Sequence, residues 1–141
     1  MSNSNNIDYE QFGQLVGKLV AGLAAALSVQ IKLLKLDPLH FEPIEKERFV
    51  GYVWGLSDVM AQHVGFKSSS EISQGMFSGV MKIILQMSPE QALTLLETHA
   101  SQQGPEFING VRAGGEDAGL LRQNNANLPG FSACFGPPVE K

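Results

Sequence analysis

Residues 51–58 read Gly51-Tyr52-Val53-Trp54-Gly55-Leu56-Ser57-Asp58, and the architecture of the chain turns on this stretch. Taken as a helix, Gly51, Gly55 and Asp58 fall at i, i+4 and i+7 and share one narrow stripe, which Gln62 extends. Phe49, Val50, Val53, Trp54, Leu56, Met60, Ala61 and Val64 fill the other side, the apolar face that belongs against a core. An interior glycine costs a helix about 1 kcal/mol relative to alanine. Two of them on one stripe make sense when a surface lies flush against it: another helix, a second subunit or a ligand. Gly51, Trp54, Gly55 and Asp58 are therefore candidates for an interface or a ligand site.

The spacing returns as Gly110-Val111-Arg112-Ala113-Gly114-Gly115-Glu116-Asp117, where the glycines lie among Phe107, Val111, Ala118 and Leu121. Gly110, Gly114 and Asp117 join the candidates. Glycine pairs at i, i+4 occur at 13/17, 51/55, 75/79, 110/114 and 115/119. Random placement of fifteen glycines in 141 residues gives about one or two such pairs, so the excess marks a packing device. If the two stripes meet, Asp58 and Asp117 are expected to face a shared groove with Glu116 nearby. Paired carboxylates can divide acid and base roles; ion pairing with Arg48 and Arg112 is the purely structural alternative.

The length of 141 residues fits one domain with a real core. The net charge is −4 and the pI about 5.3. The ten basic residues form no run, so the electrostatic footprint of a nucleic-acid binder is missing. A single cysteine, Cys134, excludes an intramolecular disulfide and a cysteine zinc site within one chain. The start, Met1-Ser-Asn-Ser-Asn-Asn6, lacks the basic region and apolar segment of a signal peptide. The uncharged run Leu19–Ile31 falls short of the roughly 20 residues that span a bilayer. The expectation is a soluble, cytoplasmic protein with no membrane span.

The periodicity predicts an all-α fold: a single compact bundle of about five helices over residues 8–122, a disordered N-terminus at 1–7 and an extended, irregular tail at 123–141. The first helix runs from Asp8 to about Lys35. Gly13, Gly17, Ala21 and Ala25 form a ladder of small residues along it, and from Leu19 it is apolar almost all round. Such a ladder lets helices approach closely, so these four residues are candidates for self-association. Asp37-Pro38 and Glu42-Pro43 interrupt the chain. A second helix spans Pro43 to Val64 and closes at Gly65. Ser68-Ser-Ser-Glu71 reads as a capping box for the third helix, and Ser88-Pro-Glu-Gln91 as a stronger one for the fourth. A fifth runs from Glu106 to Arg122. Phe131 and Phe135 are positioned to pin the tail.

Motifs for chemistry are sparse. His40, His63 and His99 lack the Glu-x-x-His pattern of a di-iron bundle. Asp58 and His63 lie five residues apart and diverge around a helix, so no metal site is expected. Cys134 has no neighbouring charge to activate it, no serine sits in Gly-x-Ser-x-Gly, and Gly114-Gly115 lacks the spacing and lysine of a phosphate loop. No catalytic residue and no cofactor are expected.

From Gly51-Tyr-Val-Trp-Gly-Leu-Ser-Asp58, through Glu71-Ile-Ser-Gln-Gly75, to Ser88-Pro-Glu90 and its aliphatic helix, the chain resembles the Tai-type immunity proteins. These are small helical proteins that neutralise amidase effectors of type VI secretion. The resemblance covers about residues 49–103 and implies a protein-binding role. That family is typically exported and carries disulfide cysteines. Here there is neither a signal peptide nor a cysteine before Cys134, and the first helix and the second Gly-x3-Gly-x2-Asp have no counterpart. No inhibitory residue carries over.

The expected function is therefore association without catalysis: a non-enzymatic helical protein that forms a homodimer through a small-residue helix face. The alternatives are toxin neutralisation, or a small-ligand protein or enzyme with a groove near Asp58, Asp117 and Trp54.

Overall fold

The structure, a computed structural model, describes residues 9–63, 70–123 and 127–136. Six α-helices follow one another: α1 (Tyr9–Leu33), α2 (Pro43–His63), α3 (Ser70–Leu85), α4 (Pro89–Gln102), α5 (Pro105–Arg122) and α6 (Pro129–Phe135), with a 3-10 turn at Pro38–His40 between α1 and α2. No strand occurs among the described residues, and the all-α bundle is as expected. The N-terminus 1–7, the Asp8 cap, the closing Gly65 and the start of the capping box at Ser68 lie outside the described residues.

Proline marks the starts. It is the first residue of α2, α4, α5 and α6, where its missing N–H has no helical partner to lose and its fixed φ suits the turn. Ser88 caps α4 as the sequence predicts: its hydroxyl accepts from the Gln91 amide at 3.1 Å, and the Gln91 side chain accepts from the Ser88 amide at 3.0 Å. At α5 the N-cap is Gly104, which has no side chain to offer. Glu47 on α2 takes over, accepting from the Phe107 amide at 3.0 Å. Arg48 beside it holds Glu106 at 2.7 Å. Two consecutive residues of α2 thus secure the first turn of α5.

The central element is α2, buried at every residue from Phe49 to Val53 and again at Gly55, Leu56, Ser57, Met60 and Ala61. It packs against α3, α4, α5 and α6. The glycine stripe does not face away from the core; α5 carries the core around to that side. A methyl group built on Gly51 would fall on the Phe107 carbonyl oxygen, and one on Gly55 on that of Val111. On α5, Gly110 meets the Arg48 carbonyl in the same way and Gly114 that of Tyr52. Contacts advance together along both helices, so α2 and α5 run parallel.

Adding 59 to each α2 number and subtracting 59 from each α5 number maps the seam onto itself: Gly51 to 107 becomes Gly110 to 48, and Gly55 to 111 becomes Gly114 to 52. The seam therefore has a pseudo-twofold axis, and the matching sequence is longer than the glycines: Glu47-x3-Gly51-x3-Gly55-x2-Asp58 against Glu106-x3-Gly110-x3-Gly114-x2-Asp117. At each of the four glycines, the hydrogen in place of Cβ points at a carbonyl oxygen across the seam. Such Cα–H···O contacts are worth about 0.5 kcal/mol each. The larger gain is backbone-to-backbone dispersion that any side chain would prevent.

The tail departs from its expectation as an irregular, extended segment. Residues 129–135 form α6, with Phe131 and Phe135 buried. Phe135 stacks on Phe41 with centroids 5.5 Å apart, and Phe131 meets Tyr52 edge-on at 5.1 Å. Burying each phenylalanine contributes roughly 2 kcal/mol, enough to hold a seven-residue helix that has no independent stability.

Candidate functional site

The two aspartates that the repeat sets in register have separate environments. Asp117 is fully buried. It accepts from the Tyr52 hydroxyl at 2.6 Å, from the Gly130 amide at 2.9 Å and from the Phe131 amide at 2.8 Å. It thereby supplies the cap that Leu128, the N-cap residue of α6, does not. Asp58 is half-buried and accepts from Ser73 on α3 at 2.8 Å and from Gln62 at 3.2 Å. They share no partner, and the expected common groove is not formed. The pseudo-twofold axis is the reason: equivalent residues on two parallel helices point to opposite sides of the pair. Neither aspartate pairs with Arg48, which instead bonds Glu106 and the Cys134 carbonyl, at 2.7 Å each.

These networks are built for anchoring. The Tyr52 phenol is pushed far above its ordinary value, first by burial, then by the hydrogen bond and the charge of Asp117. It remains protonated and donating. The Cys134 thiol is also pushed up, chiefly by burial, with Asp117, Glu106 and Glu116 adding and Arg48 opposing. A raised thiol is a poor nucleophile. Among the described residues, no group of three or more His, Cys, Asp or Glu stands close enough to hold a metal ion. His40 is engaged with Asp37 at 2.6 Å on the surface.

Of the candidate residues, Gly51, Gly55, Gly110 and Gly114 are spent on the α2–α5 seam, and Asp117 on anchoring α6. Trp54 is half-buried, meets Phe77 edge-on at 6.2 Å and forms part of the wall of two clefts. One, of about 340 Å³, lies between α4 and α5; the other, of about 330 Å³, lies between α3 and α4. Asp58 and Asp117 line neither, so the ligand groove expected near all three residues keeps only its tryptophan.

Gly13, Gly17, Ala21 and Ala25 are all exposed. A methyl added at Gly13, Gly17 or Gly22 meets no atom within 4 Å beyond the helix's own backbone. A helix that is apolar almost all round, as α1 is from Leu19, is usually covered on most sides. Here α1 buries one side only, with Leu23, Ala24, Leu27 and Gln30 inward and α3 as its main support. Outward, the exposed residues between Lys18 and Lys32 are Ala21, Gly22, Ala25 and Val29, and exposed Leu33 follows. That stretch covers about 21 Å at the helical rise without a charge. Val29 is 54% and Leu33 69% exposed, so the face is an open apolar patch and not a thin solvated edge. The helix is also apolar over more residues than the Leu19–Ile31 run suggests. From Gly13 to Leu33, 21 residues, it is long and apolar enough to cross a membrane by length and composition.

The ladder is legible in the sequence as one of the five glycine pairs at this spacing; α2 and α5 set two of those pairs against each other, whereas the pair at 13/17 is left open. Compared with known proteins, the chain matches no family model, no curated protein and no solved structure.

Proposed function

We propose that this protein acts by association and not by catalysis, forming a homodimer through the outward face of α1. The observation that carries the proposal is the exposed ladder Gly13, Gly17, Ala21 and Ala25, with open space at its glycines. Inside the chain, the ladders of α2 and α5 show one use of this spacing: each lies flush against the other on a parallel helix. A small-residue face is self-complementary, since two copies approach along it without steric conflict, and the commonest symmetric assembly of identical chains is a twofold dimer. The α1 face meets that description and α2 and α5 supply the template. Association through the α2 stripe itself is not part of the proposal, because α5 occupies it. Toxin neutralisation, which the likeness to the Tai-type immunity proteins implies, is a variant in which the partner is another protein.

The test is light scattering on a dilution series of the full chain and of Ala25→Glu. Ala25 is exposed, so the variant keeps its fold, which far-UV circular dichroism checks. The expected result is a concentration-dependent dimer for the parent chain and a monomer for the variant. A monomer at every concentration for both contradicts the proposal. Because α1 is long enough to span a bilayer, flotation with lipid vesicles is run in parallel; recovery of the protein with the vesicles assigns the face to lipid instead.

A further inference from the structure

The two clefts at Trp54 adjoin. Both are walled by Trp54 and Ala100, so the two clefts share one boundary, and on α4 that boundary is a side chain of a single methyl group. Each cleft falls within the range of about 300–1,000 Å³ typical of small-molecule sites. Apolar residues line each side of that boundary, Leu93 and Leu96 in the α3–α4 cleft and Ile108 and Val111 in the α4–α5 cleft. The charges are segregated. Arg112 borders the α4–α5 cleft and Glu97 the α3–α4 cleft, and among the described residues neither forms an ion pair.

From this arrangement we infer that the trough over Trp54 binds a linear amphiphile with one anionic end. Its carboxylate pairs with Arg112, and its hydrocarbon chain crosses the Trp54 ring and Ala100 into the cleft beside Leu93 and Leu96. An apolar trough with an unpaired guanidinium at one end selects a single negative head group. Glu97 borders the cleft that takes the hydrocarbon chain, so the reversed ligand would set two carboxylates together. This site is independent of the α1 face, and either stands without the other.

Trp54 is the only tryptophan in the chain, so its fluorescence reports directly on occupancy. The experiment titrates the full chain with decanoate, with decanol and with decyltrimethylammonium, each below its micelle concentration. Decanoate is expected to change the emission saturably and to bind about tenfold more tightly than decanol, the increment of one charge-assisted contact; the cation is expected to bind more weakly than either. Arg112→Gln should remove the advantage of decanoate and leave decanol unchanged. Ala100→Leu should abolish the response to both while the thermal melt stays cooperative. No saturable change with decanoate, equal affinity for decanoate and decanol, or an unaltered response in Ala100→Leu would each overturn the inference.

Discussion

The Cα of Gly55 on α2 faces the carbonyl oxygen of Val111 on α5 with no room for a methyl group between them. Its mate under the pseudo-twofold axis, Gly114, faces Tyr52 in the same way. The seam is a parallel helix pair held at backbone contact within one chain.

Gly55→Ala should therefore push α2 and α5 apart and lower stability by about 3 kcal/mol, the upper part of the range for overpacked cores. In a thermal melt this corresponds to a fall of about 10 °C. The same change at Gly17, where space is open, should raise monomer stability by about 1 kcal/mol through helix propensity alone. Urea titration of the two variants checks the contrast, and equal effects would show that the seam is not sterically closed.

The two repeat aspartates should differ just as sharply. Asp117→Ala leaves the Tyr52 hydroxyl and the Gly130 and Phe131 amides without their acceptor in a buried site, a loss of about 3 kcal/mol or more. Asp58→Ala removes half-exposed bonds to Ser73 and Gln62 and should cost about 1 kcal/mol. Hydrogen exchange gives a local reading: in Asp117→Ala the α6 amides should exchange about a hundredfold faster, at a tenfold change per 1.4 kcal/mol. The α3 amides should be unaffected.

The Tyr52 phenol predicts an alkaline limit to stability. Its folded-state pKa lies above its ordinary value of 10.0. The unfolded chain therefore releases this proton first, and the contribution of Tyr52 is complete below pH 10 and declines above it. The slope is about 1.4 kcal/mol per pH unit. Chemical denaturation between pH 8 and pH 11 measures it. Tyr52→Phe should be less stable at pH 8, where the bond to Asp117 is lost, and should lack this component of the alkaline slope.

Much of the fold could be read in advance because its signals are local. Ser88-Pro-Glu-Gln91 states its cap in four residues, Pro43 lies at a helix start, and the glycines at 51 and 55 require a close neighbour. What occupies that neighbouring space is a long-range fact. Only the echo of Gly51-x3-Gly55-x2-Asp58 at residues 110–117 pointed to it, and the echo alone did not fix on which side each aspartate falls. The helix at Pro129–Phe135 was missed because seven residues give too few turns for a 3.6-residue period to emerge, although the spacing of Phe131 and Phe135 marked its buried side. For α1, apolarity all round suggested cover on most sides, whereas one side packs on α3 and the other is open. Periodicity records how apolar a face is, not what lies against it. The adjoining clefts at Trp54 share Ala100, a residue with no signal of its own in the sequence.

Whether two copies meet along α1 is tested most directly by a cysteine placed on its ladder. In a Cys134→Ser background, which leaves the introduced thiol as the sole one, Ala21→Cys and Ala25→Cys are oxidised at a concentration where the parent chain is dimeric. Cysteine at an equally exposed position on α4, Thr94→Cys, serves as the control. Rapid disulfide dimers at 21 or 25 and none at 94 are the predicted result. Cross-linking no faster on the ladder than at Thr94→Cys would contradict association through α1.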